Sequence, residues 1–304
     1  MTPTIGIIGL GNAGQALAQA LSANYKLHLY DVAPGRGEQA ATRCALPPIV
    51  AASAALCASA VDVLLLSLPA PEASLSVARE IAGVVRPGTL VVETSTVRPE
   101  DIEDLHAVVS PGGATVIDAA VIGGVHKLGA GTGVFLVGPS ESDAGTAAPV
   151  LRSIAEEIFF LNGRGDGMRA KLVANAVSHT AYVLLVEAGA LAVKQNIPLD
   201  VFYRLMERES GLLRPLTHRF AERLRNADFQ GGMSTINARK DSGLILDTAR
   251  ALGVPLFAIA ATHGVYEIAV GEGLGEQDYA SLGWLWEKWV GIDFADRVQG
   301  ERER

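Results

Sequence analysis

Thr4-Ile5-Gly6-Ile7-Ile8-Gly9-Leu10-Gly11-Asn12-Ala13-Gly14 is the stretch that decides the fold. Its first half is a short apolar run and its second half opens an Ala- and Leu-rich run of helical period, so the glycines fall at a strand-to-helix turn. In that context each glycine has its own physical reason. Gly9 permits the tight turn, Gly11 lets main chain approach a pyrophosphate, and Gly14 lets the helix pack closely on the strand. Leu10, Asn12 and Ala13 fill the other loop positions, and the N–H groups opening the helix form an anion site for the diphosphate. Asp31 ends the next apolar run, at the spacing where a carboxylate accepts hydrogen bonds from the adenosine ribose. The reading is a dinucleotide site with NAD preferred, while Arg36 and Arg43 in the following loop leave NADP possible.

Outward from this turn, short apolar runs alternate with Ala-rich helical stretches, a rhythm of βαβ units and a mainly parallel sheet. Strands are predicted at 4–9, 26–31, 61–68, 90–93, 115–119, 134–138 and 158–161. Several are apolar without alternation, as in strands covered on both faces. After Asn162-Gly163-Arg164-Gly165-Asp166-Gly167 the rhythm stops and helical patterns dominate. The expectation is an α/β chain with a doubly wound Rossmann-type domain over 1–162 and an all-α domain over 163–304. A helix over about 168–196, with no Pro and no turn signal, opens the second domain and runs about 40 Å. Apolar on most sides, it is expected to be a buried helix packed all round, partly by a second subunit, which implies a homodimer or tetramer. The charged run 297–304 reads as a frayed end.

Composition narrows the functional classes. The chain has 304 residues, 49% hydrophobic and 19% charged, with a formal net charge of -8, so no basic field attracts nucleic acid. Cys44 and Cys57 show no CxxC spacing and no clustering with histidine, which argues against a disulfide framework or a metal site and for a reducing cytoplasm. The apolar stretch 172–193 is interrupted by Asn175, Ser178, His179, Thr180 and Glu187, a set that a lipid-facing span carries only at high cost, so no membrane partner is expected.

Lys171 and Asn175 stand i and i+4 on the long helix, so both project from one face near its start. A lysine in an apolar helix loses hydration, which lowers its pKa toward the range useful for proton transfer. Oxidising an alcohol needs a base for the hydroxyl proton, and a neutral lysine can serve; in reduction its ammonium form returns the proton.

Five segments, in order, resemble the β-hydroxyacid dehydrogenases, the family of 3-hydroxyisobutyrate dehydrogenase. They are 9–14, Glu93-Thr94-Ser95-Thr96-Val97-Arg98-Pro99, Asp118-Ala119-Ala120-Val121-Ile122-Gly123-Gly124, 167–175 with Glu187-Ala188, and Lys240-Asp241. The resemblance implies that Lys171 is the catalytic acid/base and that Asn175 holds the substrate oxygen beside it. It implies that Gly123 and Gly124 present N–H groups to a substrate carboxylate, that Thr96 sits between cofactor and substrate, and that Lys240, in a pair opening a later helix, contacts the nicotinamide side and adds positive charge for the acid. Leu68 and Pro69, after the third strand, complete the expected cofactor set. Ile122 stands where the family has serine, which removes a hydroxyl donor from the carboxylate site. The implied activity is reversible hydride transfer between a nicotinamide cofactor and the β-hydroxyl of a small hydroxycarboxylate. The rivals are an imine reductase, against which Lys171 argues, a decarboxylating sugar-phosphate dehydrogenase of the 6-phosphogluconate type, whose substrate demands several cations and whose helical domain is much larger, and a non-catalytic nucleotide-binding scaffold.

Overall fold

The computed structural model describes residues 2–295, so the charged run 297–304 lies outside the described residues. Contacts divide the chain into two units, Met1–Ala176 and Val177–Arg304.

In the first unit eight strands form one sheet: β1 (Ile5–Ile8), β2 (Leu27–Tyr30), β3 (Ile49–Val50), β4 (Val63–Leu66), β5 (Leu90–Glu93), β6 (Thr115–Ile122), β7 (Gly133–Val137) and β8 (Ala155–Phe160). Their spatial order is β3-β2-β1-β4-β5-β6-β7-β8. The connecting helices are α1 (Asn12–Leu21), α2 (Arg36–Ala41), α3 (Ala54–Ser59), α4 (Pro71–Ile81), α5 (Pro99–Val109), α6 (Gly124–Gly129) and α7 (Ala147–Arg152). β1 and β4 are buried at every residue because apolar cores lie on both faces. One core packs Leu17 and Leu21 of α1 on Ile7, Leu29 and Leu65; the other packs Ile81, Ile102 and Leu105 of α4 and α5 on Ile8, Leu64 and Leu66. Pro71 and Pro99 sit at the starts of α4 and α5, where a missing N–H costs nothing.

The parallel expectation holds from β3 to β6. β7 then pairs antiparallel to β6. The reason is length: residues 123–132 are too few for the dozen or more that a parallel crossover needs. β8 returns parallel to β7 across the α7 connection. The edge strand β3, two exposed residues after Pro47-Pro48, is too short to leave a periodic signal.

α8 (Asp166–Lys194) has 29 residues and bridges the two units. The second unit continues with α9 (Leu199–Met206), two π-helical segments (Glu209–Leu213 and Pro215–Arg223), α10 (Thr235–Leu252), α11 (Phe257–Gly271) and α12 (Gly283–Val290). Within the one chain α8 is not the buried helix that its apolar sequence suggested. Val173 and Val177 are each 68% exposed and Tyr182 is 70% exposed, because the helices of one chain cover only part of it. By length and composition α8 is apolar enough to cross a membrane. Yet it carries the buried Glu187, whose Oε1 accepts the N–H groups of Phe257 and Ala258 at 2.7 and 3.0 Å and so caps α11.

Candidate active site

The turn after β1 meets its sequence reading atom by atom. Gly9 has φ +91°, and a Cβ there would lie 2.2 Å from Ser67 O. A Cβ on Gly14 would lie 1.9 Å from Gly9 O, so the helix can sit this close to the turn only without a side chain. Gly11 differs: a Cβ would meet nothing within 4 Å. The protein itself leaves Gly11 bare, and the space it faces belongs to a cleft of about 510 Å³. Gly9, Gly11, Asn12, Ala13, Asp31, Arg36, Leu68 and Pro69 all line that cleft; Leu10 is buried beneath it. A glycine turn, a helix start and an open groove ending at an acid are the parts that a dinucleotide requires, so the residues present fit the group.

Asp31 is more than a surface acceptor. Its side chain is 5% exposed, its Oδ2 accepts the Leu10 N–H at 2.7 Å and its Oδ1 accepts the Ala33 N–H at 2.8 Å. Arg36 Nη1 lies 3.5 Å from Oδ2. The carboxylate therefore ties β2 to the glycine turn, and each oxygen keeps a second lone pair for a ribose hydroxyl.

Leu68, which lines the cleft, is held by the loop that follows β5. Ser95 Oγ accepts the Leu68 N–H at 2.7 Å, and Glu93 Oε1 accepts the Ser95 N–H at 2.8 Å. Glu93 is fully buried, and burial pushes its pKa up to about 7. Thr96 follows on the exposed side of this loop.

Lys171 lies in the second turn of α8, half-buried, and its Nζ donates to Val121 O at 2.6 Å. Loss of hydration lowers its pKa below the ordinary lysine value. Val121 is followed by Ile122, the last residue of β6, and by Gly123 and Gly124, whose φ angles of +95° and +78° turn the chain into α6. The lysine is thereby held beside the turn assigned to substrate, and Asn175 stands one helical turn further along α8. Ile122 packs at the margin of the apolar core under α5 and offers no polar atom beyond its main chain. Lys240 belongs to the second unit. It does not open its helix, as the sequence suggested: Ser234 caps α10, and Lys240 stands in the second turn, 61% exposed and 3.0 Å from Asp241.

Residues 4–163 match the family described as the NAD binding domain of 6-phosphogluconate dehydrogenase, and residues 165–285 match that described as NAD-binding of NADP-dependent 3-hydroxyisobutyrate dehydrogenase. The chain belongs to the β-hydroxyacid dehydrogenase family. The mitochondrial 3-hydroxyisobutyrate dehydrogenase of Drosophila melanogaster is 29% identical to it over 284 residues, covering 91% of this chain and 87% of that one. The structure of 3-hydroxyisobutyrate dehydrogenase from Mycobacterium tuberculosis with L-serine is 28% identical, with a TM-score of 0.63 over 93% of this chain and 98% of that one. An imine reductase from Pseudomonas sp. shares the fold at 20% identity, with a TM-score of 0.85 over 93% of this chain and 98% of that one.

This member of the β-hydroxyacid dehydrogenases is thus an NAD(P)-binding oxidoreductase. Three residues that hold its site together stood in the quoted motifs without an assigned part. Ser95 and Glu93 fix the Leu68 turn, and Asp118 accepts N–H groups at the start of α8. The available signal was an acid in an apolar strand, Glu93 closing Leu90-Val91-Val92-Glu93 and Asp118 inside Val116-Ile117-Asp118-Ala119-Ala120-Val121, where the polar residue needs a partner to be buried.

Proposed function

We propose that this protein interconverts the β-hydroxyl of a small hydroxycarboxylate and the corresponding aldehyde or ketone, with Lys171 as general acid/base and NAD as the preferred cofactor. The observation that carries this reading is the placement of Lys171, hydrogen-bonded to Val121 O beside the Ile122-Gly123-Gly124 turn. Burial brings its neutral amine nearer to working pH, and a neutral amine can accept the substrate hydroxyl proton. The bound nicotinamide ring supplies the hydride acceptor in oxidation and the hydride donor in reduction. Lys171 takes the proton from oxygen as carbon gives up hydride, and in the reverse direction its ammonium returns that proton. Asn175 orients the same oxygen. The N–H groups of Gly123 and Gly124 hold the carboxylate. Ile122 in place of a hydroxyl residue puts carboxylate binding on the main chain and leaves the substrate class open: 3-hydroxyisobutyrate, tartronate semialdehyde, serine-like and aldonate-like compounds all suit.

The NAD preference rests on the charge of Asp31, which repels an added phosphate. We also infer that a second copy covers part of the exposed apolar surface of α8, which includes Val173 and Val177 on one side and Tyr182 and Val186 on the other, because soluble chains rarely leave so much apolar surface in water.

The test is a spectrophotometric screen of NAD(P)H formation across small β-hydroxyacids, run beside NAD(P)H consumption with cyclic imines. Turnover of at least one hydroxyacid, lost in Lys171→Ala with NADH binding retained, is the expected result. Turnover of imines alone, or a Lys171→Ala variant that keeps most of its activity, would overturn the reading.

A further inference from the structure

β6 carries two successive attachments to α8. At the first, Asp118 Oδ1 accepts the Gly165 N–H at 2.8 Å and Oδ2 accepts the Met168 N–H at 2.9 Å. At the second, three residues on in both elements, Val121 O accepts the Nζ proton of Lys171. The Asp118 side chain is fully buried, and a helix start is where an anion and an acceptor are both favoured. The surrounding main chain is built to this carboxylate. A Cβ on Gly138 would lie 2.0 Å from Oδ1, and one on Gly167 would lie 2.8 Å from Oδ2 and 2.4 Å from Leu136 O. No larger residue fits at either position without moving the strand or the helix.

We propose that Asp118 is the positioning residue for Lys171: by seizing the first free N–H groups of α8 it sets the helix's starting residue and rotation, and so aims the ammonium at Val121 O. This rests on the reading of Lys171 as the acid/base. The geometry gives the sensitivity. A slip of one residue at the helix start turns every side chain by about 100° and moves it about 1.5 Å along the axis. Such a slip takes Nζ off Val121 O while leaving the glycine turn, Asp31 and the cofactor cleft as they were. Displacements of this size cost about 100-fold in turnover.

The experiment reads the lysine directly. The chain has six lysines, so reductive 13C-methylation gives a spectrum in which Lys171 is assigned by its loss in Lys171→Arg. In the wild type its resonance should titrate below those of the exposed lysines. In Asp118→Asn, whose amide sets a donor against a helix N–H, it should move up to join them. kcat should fall about 100-fold, and the Kd for NADH should stay within about threefold, since no cofactor-cleft residue is touched. Asp118→Ser keeps one acceptor without an opposing donor; it should show an intermediate titration and turnover, and it decides the matter where Asp118→Asn does not fold. An unshifted Lys171 titration in a folded Asp118 variant, with only the melting temperature lowered, overturns the proposal. If Lys171→Ala keeps its activity, the acid/base reading fails, yet the titration still shows whether Asp118 positions the amine.

Discussion

Replacing Glu93 by glutamine should change how stability depends on pH, by an amount the structure allows to be worked out. Glu93 lies at the end of β5 with Oε1 bonded to the Ser95 N–H and Oε2 without a partner; the equally buried Ser74 Oγ beside it also lacks one. Ser74 Oγ can donate to the ionised oxygen or accept from the protonated one, so it favours the carboxylate where it donates, and the loss of hydration outweighs it. Burial raises the pKa from 4.5 to about 7. The folded state therefore holds this proton more tightly than the unfolded chain does. Stability from this source is fully present below about pH 4.5 and is lost as pH rises through about 7. At about 1.4 kcal/mol per pH unit the whole loss is about 3 kcal/mol, most of which falls between about pH 5 and pH 8. Glutamine keeps an acceptor for Ser95, supplies a permanent donor for Ser74 and does not titrate. Urea unfolding of both proteins, followed by circular dichroism in pH steps, should show the wild type losing about 2 to 3 kcal/mol relative to Glu93→Gln across that interval. A constant difference between the two proteins would refute the reasoning, because it would mean that Glu93 does not change protonation in the folded chain.

The glycine turn separates fold from binding. Gly14→Ala should lower stability by about 2 kcal/mol or more through its clash with Gly9 O, whereas Gly11→Ala, which meets nothing, should leave the melting temperature unchanged and weaken NADH binding about tenfold; equal NADH affinity in Gly11→Ala and the wild type would place the diphosphate elsewhere. Arg36→Ser, at the mouth of the cleft, should lower kcat/KM with NADP more than with NAD, by about tenfold, and an unchanged ratio would remove Arg36 from cofactor selection. The rate of oxidation should rise with pH through a base whose pKa lies below the ordinary lysine value of 10.5, since burial lowers that of Lys171; a pH profile of kcat/KM with no such limb would count against it. Val173→Asp with Val177→Asp should shift sedimentation from dimer or tetramer to monomer, and a wild type that is monomeric at micromolar concentration would sink the assembly.

Local order was legible in the sequence because it depends on neighbours in the chain. Gly9, Gly11 and Gly14 mark a strand-to-helix turn by their spacing, with Gly14 constrained by Gly9 O five residues back although Gly9 itself is set against the distant Ser67 O, and the unbroken helical pattern before Asn196 foretold a helix observed as Asp166–Lys194. The i, i+4 spacing of Lys171 and Asn175 likewise follows from helix geometry alone. What only the tertiary structure decided are the bonds that join distant segments: Asp118 to Met168, Glu93 through Ser95 to Leu68, Asp31 to Leu10, and Glu187 to Phe257. Each is a buried or half-buried carboxylate or hydroxyl whose partner is a main-chain N–H. Every residue except proline offers the same N–H, so no residue identity at the receiving end announces the pairing. The exposed face of α8 was hidden from the sequence for a related reason. An apolar surface records that something should cover it, not whether the cover comes from the same chain.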